Sequence, residues 1–251
     1  AEERELIDLT ETYLDYIDER VLWVRSLAPL SLDDASAVSE AIGGLLTVSG
    51  WLKTGRSVWR GVREHWLLLV AGAAALLALV VFRMRLGRRI TAVNRARKDV
   101  FLGTLEVLAL SALLSVTWPG LIALAGWTLR EGGSDVFPRS VGSALLHVAF
   151  TLLPLEILRQ VSRDEGLGAV HFRWPLDSLR ALRRHLVWFE AASSPILFLT
   201  AFAGAHGQSP VHEPLRRLAF AGGCVLVAVF SVVALRPGAA LAGGFIARKA
   251  E

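Results

Sequence analysis

Three ionisable side chains stand inside otherwise apolar runs of this sequence: Glu106, His147 and Glu156. A carboxylate or imidazole in hydrocarbon is expensive, so such positions are candidates for ion pathways, proton relays or buried pairs. Glu106 falls about one helical turn inside its run, close to a group of arginines, where a structural ion pair is the commoner role. His147 could titrate, but a lone neutral ring bonding a neighbouring helix is the commoner use. The runs lack the paired acids or arginines expected of a proton relay or a coupled carrier.

Catalytic chemistry is thinly represented. The sequence contains no HExxH, G-x-S-x-G, Walker A or G-x-G-x-x-G pattern, so metalloprotease, hydrolase and nucleotide-binding readings lack their mechanical parts. His212-Glu213 is followed by Pro214, which opposes the helix that a zinc-binding pair needs. His206 and His212 share one turn and could hold a metal only adventitiously. The expectation is a non-enzyme with no catalytic residues, no metal and no cofactor.

What positions these groups is a set of apolar runs. The longest without a charge is Trp66–Phe82, WLLLVAGAAALLALVVF, followed at once by Arg83, Arg85, Arg88 and Arg89. Seventeen residues reach roughly 25 Å as a helix, close to the hydrocarbon thickness of a bilayer. In that environment the backbone must satisfy its own polar groups, so the run is helical. The composition agrees: 53% of residues are hydrophobic and mean hydropathy is +0.48. Net charge is +4, but the arginines cluster between apolar runs as topology signals do, which sets nucleic acid aside. The single cysteine, Cys224, forms no intrachain disulfide. Both ends look cut from a longer protein.

The expected architecture is all-α: an extracytoplasmic helical segment, 1–64, followed by a transmembrane helical array, 65–251. Spans are predicted at about 66–83, 100–128, 140–158, 187–205 and 216–235. In the first segment, Leu6, Leu9, Tyr13, Tyr16, Ile17, Val21 and Val24 recur at helical spacing up to Pro29, and Ser31 with Asp34 resembles a capping box opening a second helix. Trp51, Trp59 and Trp66 fall within an arc of roughly 80° if one helix carries them, with Lys53, Arg56, Arg60 and Arg63 on other faces. They are read as interfacial anchors, with Arg60 and Arg63 reaching phosphates. The helix either lies in the interface or leads straight into the first span.

Pro119, Pro154 and Pro195 are predicted kinks. The first lies in Trp118-Pro119-Gly120, so 100–129 is one kinked span or a span plus a short re-entrant piece at Leu121–Trp127. Gly222 and Gly223 would allow close helix contact. Arg180, Arg183 and Arg184 oppose Leu176, Leu179, Leu182 and Leu186, a basic amphipathic helix suited to an anionic leaflet. With Arg83, Arg85, Arg88 and Arg89 they form a basic belt. Segments 83–98, 159–187 and 236–251 carry seven, six and three Lys and Arg, and 129–139 and 206–217 two each. The first three are therefore placed in the cytoplasm and residues 1–64 outside.

Two segments carry a resemblance. YLDYIDERVLWVRSLAPLSLDDA, from Tyr13, resembles the junction before the membrane domain of the large MscK-type mechanosensitive channels of the MscS superfamily. GLGAVHFRWPLDSLRALRR, from Gly166, resembles the loop within the same inner-membrane domain. The resemblance implies a bacterial inner-membrane location, a periplasmic N-terminal region, and assembly as a homo-oligomer, a heptamer. The implied role is the tension-sensing part of an ion channel protecting against hypo-osmotic shock. It also implies a pore helix and vestibule downstream; GAALAGG near the end is too short for that helix and is read as a cytoplasmic connection. The lipid bilayer is the expected partner. The alternative is a helix-bundle carrier or scaffold binding a solute or a protein.

Overall fold

The computed structural model describes residues 32–96, 100–164, 166–170, 172, 174–206 and 211–235, and within them not the side chains of 32–33, 83–84, 86, 89–96 and 100–103. The chain divides into two compact units, 1–36 and 37–251. Of the first unit only the opening of one helix is described. The amphipathic pattern from Leu6 to Val24, Ser31 of the expected capping box and the MscK-like junction before Leu32 lie outside the described residues.

The described residues are almost all helical, with no strand among them. The elements are α1 Leu32–Leu45, α2 Val48–Glu64, α3 Trp66–Ala96, α4 Val100–Ser115, α5 Thr117–Gly132, α6 Val136–Val161, the short α7 Leu167–Val170, α8 Leu176–Ala205 and α9 Glu213–Leu235. Three of them, α6, α8 and α9, are long and apolar enough to cross a membrane. The number rises to five if each of two bent pairs, α2 with α3 and α4 with α5, counts as one span.

Proline chemistry explains one of the bends. A proline cannot donate to the carbonyl four residues earlier and its ring crowds that carbonyl. For Pro119 that partner is Ser115, and α4 ends there; α5 restarts at Thr117, turned by 48°. At the break, Thr117 Oγ1 donates to Leu114 O at 3.2 Å, which gives one carbonyl of the last turn of α4 a donor. The second half is a full sixteen-residue helix, longer than the Leu121–Trp127 piece expected from the sequence. Pro154 and Pro195, by contrast, sit inside α6 and α8, which run on through them.

Helix α6 is the centre of the bundle. It packs on α5 and α8, and also touches α4 and α2; α9 packs on α8. Leu129, Val141, Ala144 and Phe202 form the buried cluster between α5, α6 and α8, and Val107, Leu114, Val161 and Leu167 a second one beside α4. The α5–α6 seam is so tight that backbone meets backbone. A Cβ on Gly142 would lie 2.6 Å from Gly126 O, and one on Gly126 would lie 2.8 Å from Gly142 O. Small residues at a crossing are how membrane helices gain packing that lipid cannot offer them. Gly222 does not act this way, because its surroundings are open; Gly223 makes ordinary contact with Ile196 of α8.

The largest departure from the sequence-based expectation is α8. The basic amphipathic stretch after Pro175 and the fourth span are a single thirty-residue helix, not a surface helix followed by a span. Nothing between Leu182 and Val187 breaks a helix, so the segment continues. At about 1.5 Å per residue it is roughly 45 Å long, more than a hydrocarbon core needs. The arginine-bearing end therefore extends the span.

Candidate functional site

Helix α2 presents three faces. Gly50, Thr54, Ser57 and Gly61 are buried, all on one side of the helix at about 100° per residue. A second face carries Trp51, Leu52, Val58, Trp59 and Val62, all exposed. The third carries Lys53, Arg56, Arg60 and Arg63, also exposed. The buried face packs on α5 and α6: a Cβ on Gly132 of α5 would fall 2.6 Å from Gly61 N, and one on Gly61 2.6 Å from Thr128 O. Thr54 and Ser57 return their hydroxyls to Gly50 O and Lys53 O, so the buried polar groups are satisfied within the helix.

The helix ends at Glu64, and α3 leaves at 93°. The shared arc of tryptophans therefore holds for Trp51 and Trp59 but not for Trp66, which opens the next helix. Trp51 is held by protein: its indole donates to Leu45 O at 2.8 Å and meets Phe137 edge-on at 5.9 Å. Trp59 and Trp66 are 72% and 55% exposed, which leaves them to whatever surrounds the bundle. Lys53 pairs with Asp135 at 3.8 Å, beside the start of α6.

The intramembrane polar residues separate into different situations. Glu106 is half-buried on α4, and His147 is exposed on α6 with no hydrogen bond to another helix among the described residues. Glu156 is buried on α6 and forms the nucleus of a charged cluster. Its carboxylate binds Arg159 one turn on at 2.5 Å, and Gln160 Nε2 donates to it at 2.9 Å. Arg159 also reaches Glu190 of α8 at 3.8 Å. One guanidinium thus holds two carboxylates across the α6–α8 interface. Arg159 and Glu190 were not singled out from the sequence; the available signal was Glu156-x-x-Arg159 at i,i+3 spacing.

Of the basic belt, Arg85 and Arg88 are exposed on α3, and Arg85 lies over the Phe82 ring at 5.1 Å. Arg83 and Arg89 lie outside the residues whose side chains are described. Arg180 and Arg183 face Asp164 at 3.5 and 3.9 Å, and Arg184 is exposed beside them. Pro119 is buried at the α4–α5 break, whereas Pro154 and Pro195 are exposed.

At the opposite end of α8, His206 and His212 stack at 4.2 Å with nearly parallel rings, against Phe202. His206 Nδ1 lies 3.0 Å from Phe202 O, so that nitrogen carries the proton. His212 Nδ1 is buried and has no hydrogen-bond partner among the described residues. Burial pushes the His212 imidazole below its usual range, the neighbouring His206 adds to this, and Glu40 opposes it. Two imidazoles are too few for a protein metal site, and no group of three or more potential ligands occurs among the described residues.

Comparison with known proteins adds one match. The family described as mechanosensitive ion channel inner membrane domain 1 matches residues 64–249. No curated protein and no solved structure matches the chain.

Proposed function

We propose, from the premise that this chain belongs to the inner membrane domain family of mechanosensitive ion channels within the MscS superfamily, that it is the tension-sensing portion of an MscK-type channel. The match carries the family part of the reading, beginning at the last residue of α2 and taking in every helix from α3 to α9; the MscK type rests on the resemblance of the segments from Tyr13 and Gly166. In this proposal the protein lies in a bacterial inner membrane, with residues 1–64 in the periplasm and the arginine-rich connections in the cytoplasm. It works as a homo-oligomer, a heptamer by the MscK resemblance, and relieves hypo-osmotic stress. Membrane tension does work equal to tension times the in-plane area gained, so a wide array of lipid-facing helices couples more strongly than a narrow one. All the switch requires is that tension stabilise the expanded state more than the resting one.

The geometry supports a coupling role for α2 and α3. An amphipathic helix with a basic face, an apolar face and a third face clamped to the bundle suits the boundary between headgroups and acyl chains. Its apolar face leaves Trp59 open, and Trp66 begins the uncharged run of α3.

Patch-clamp recording of the channel that contains this chain tests the proposal. Trp59 and Trp66 are both replaced by Ala, and Trp51 is left intact because it is packed on Phe137. The expected result is a shifted tension threshold with unchanged single-channel conductance, since conductance reports the pore. An unchanged threshold with normal expression and assembly leaves these residues as anchors and the helices as a scaffold.

A further inference from the structure

Two clefts adjoin where α6 ends and α8 begins. The first, about 430 Å³, is lined among the described residues by Arg159, Arg163, Arg180, Arg183 and Arg184 together with Gln160 and Val187. The second, about 400 Å³, opens over Trp118, Pro119 and Ile122 of α5, Leu152 of α6 and Ala191 of α8. Arg159 and Val187 line both clefts and so form a shared wall. The carboxylates of the second cleft, Glu156 and Glu190, are drawn onto Arg159 at that wall, which leaves the rest of it largely apolar.

Arg159, its charge more than offset by Glu156 and Glu190, separates a cleft rich in arginine from an apolar one. The positive charge on the first side that the described contacts account for comes from Arg180, Arg183 and Arg184. Against it, among the described residues, stand Asp164, at 3.5 Å from Arg180 and 3.9 Å from Arg183, and Asp177, at 3.8 Å from Arg180. These pairs are long and well exposed, so they are weak and a better anion can replace them. Guanidinium forks match phosphate oxygens in pairs, a fit that lysine lacks.

We infer that the paired clefts form a site for one anionic phospholipid. Its phosphate lies among Arg180, Arg183 and Arg184, and a stretch of acyl chain lies over Trp118, Ile122, Leu152 and Ala191. The apolar neighbour selects the lipid over free phosphate, because an inorganic ion would fill only the first cleft. The site lies beside the α4–α5 break at Pro119, so its occupant touches both the bend and the α6–α8 pair. This inference does not depend on the channel reading, since it concerns binding in a resting bilayer.

The test uses the purified chain in nanodiscs of phosphatidylcholine containing a small fraction of phosphatidylglycerol with brominated acyl chains. Bromine quenches indole on contact. The quenching lost on Trp118→Phe isolates the contribution of the second cleft from those of the other tryptophans. Brominated phosphatidylglycerol is expected to reach half-saturation at a concentration at least about tenfold lower than brominated phosphatidylcholine, given several arginines at the headgroup. The variant R180Q/R183Q/R184Q changes two exposed side chains and one partly buried one, none of them in the core, and should lose this preference. Ala191→Phe fills the apolar cleft and should abolish the Trp118 quenching while leaving radiolabelled inorganic phosphate binding in detergent as weak as before. Equal quenching by both lipids overturns the inference. So does tight binding of inorganic phosphate that displaces the lipid and survives Ala191→Phe, which would make this a phosphate-ion site.

Discussion

Replacing Gly142 by Ala probes the α5–α6 seam directly. The added methyl would lie 2.6 Å from Gly126 O, 2.7 Å from Arg130 N and 3.1 Å from Arg130 Cα, whereas ordinary contact begins at 3.4 Å. The shortfall is 3.4 − 2.6, or 0.8 Å, and every atom involved is backbone. No rotamer change relieves it, so α5 and α6 must separate by roughly that amount. Overpacking of this kind costs about 1–3 kcal/mol, and a gap of 0.5–1 Å forfeits roughly a quarter to a half of each dispersion contact along the seam. Alanine returns up to about 1 kcal/mol through its better helix propensity. Taking the upper end of the packing cost, the net loss is about 2 kcal/mol. For a chain of this size that lowers Tm by roughly 4–8 °C. Thermal unfolding of the purified protein in detergent, followed by circular dichroism, measures it. Gly222→Ala is the control, because nothing lies within 4 Å of the position where its Cβ would be, and its Tm should stay the same or rise. A G142A protein as stable as the parent would mean that the two backbones are not in contact, and the account of the seam would be wrong.

Three further outcomes are expected. Arg159→Met leaves Glu156 and Glu190 facing each other without their shared cation, at a cost of about 3–5 kcal/mol; adding Glu156→Gln and Glu190→Gln should recover most of the lost Tm. The depressed His212 value means that the unfolded chain takes up more protons once pH falls below about 6.5. The associated stability is therefore present above that pH and is lost progressively towards the lower folded value. Tm should fall between about pH 7.5 and pH 5, and the His212→Gln protein should show a smaller fall over the same range. In a Cys224→Ala background, a cysteine at Ser134 should react with an impermeant thiol reagent added outside intact cells and one at Ala92 should not; the reverse pattern would overturn the proposed orientation.

The apolar runs were plain in the sequence because hydrocarbon demands long uncharged helices. The break near Trp118-Pro119 was also legible, since proline acts on the chain locally. What the sequence concealed is which face of α2 meets the protein. In water the apolar stripe of a helix points inward, but here Trp59, Leu52 and Val58 are exposed while Gly50, Thr54, Ser57 and Gly61 are buried. Lipid is as apolar as leucine, so contact between helices is won by small residues and backbone approach. Glycine costs a helix stability by propensity, yet in the fold Gly61 is where α2 meets α5. The Glu156–Arg159–Glu190 cluster was half visible, because spacing along α6 pairs the first two but only the α6–α8 packing brings in Glu190. Continuity of α8 was missed because the change from basic amphipathic to uniformly apolar character looked like a boundary, although no residue there stops a helix.

The right-angle junction at His65 gives α2 and α3 the mechanics of a bell crank. One arm, α3, begins with the uncharged run Trp66–Phe82, and the other, α2, has seventeen residues. At about 1.5 Å per residue that second arm is roughly 26 Å long, so a tilt of about 10° at the corner moves its far end by some 4–5 Å. The arm is not free to swing, however. Gly61 sits one turn from the corner against Thr128 and Gly132, and Gly50 at the far end lies against Phe137 of α6. Rotation of the membrane arm is therefore not dissipated in a loose lever. A turn of α3 would first reach the α2–α5 contact, where a Cβ on Gly132 would meet Ser57 O and Gly61 N and the backbones leave least room to yield, and through α5 the seam with α6.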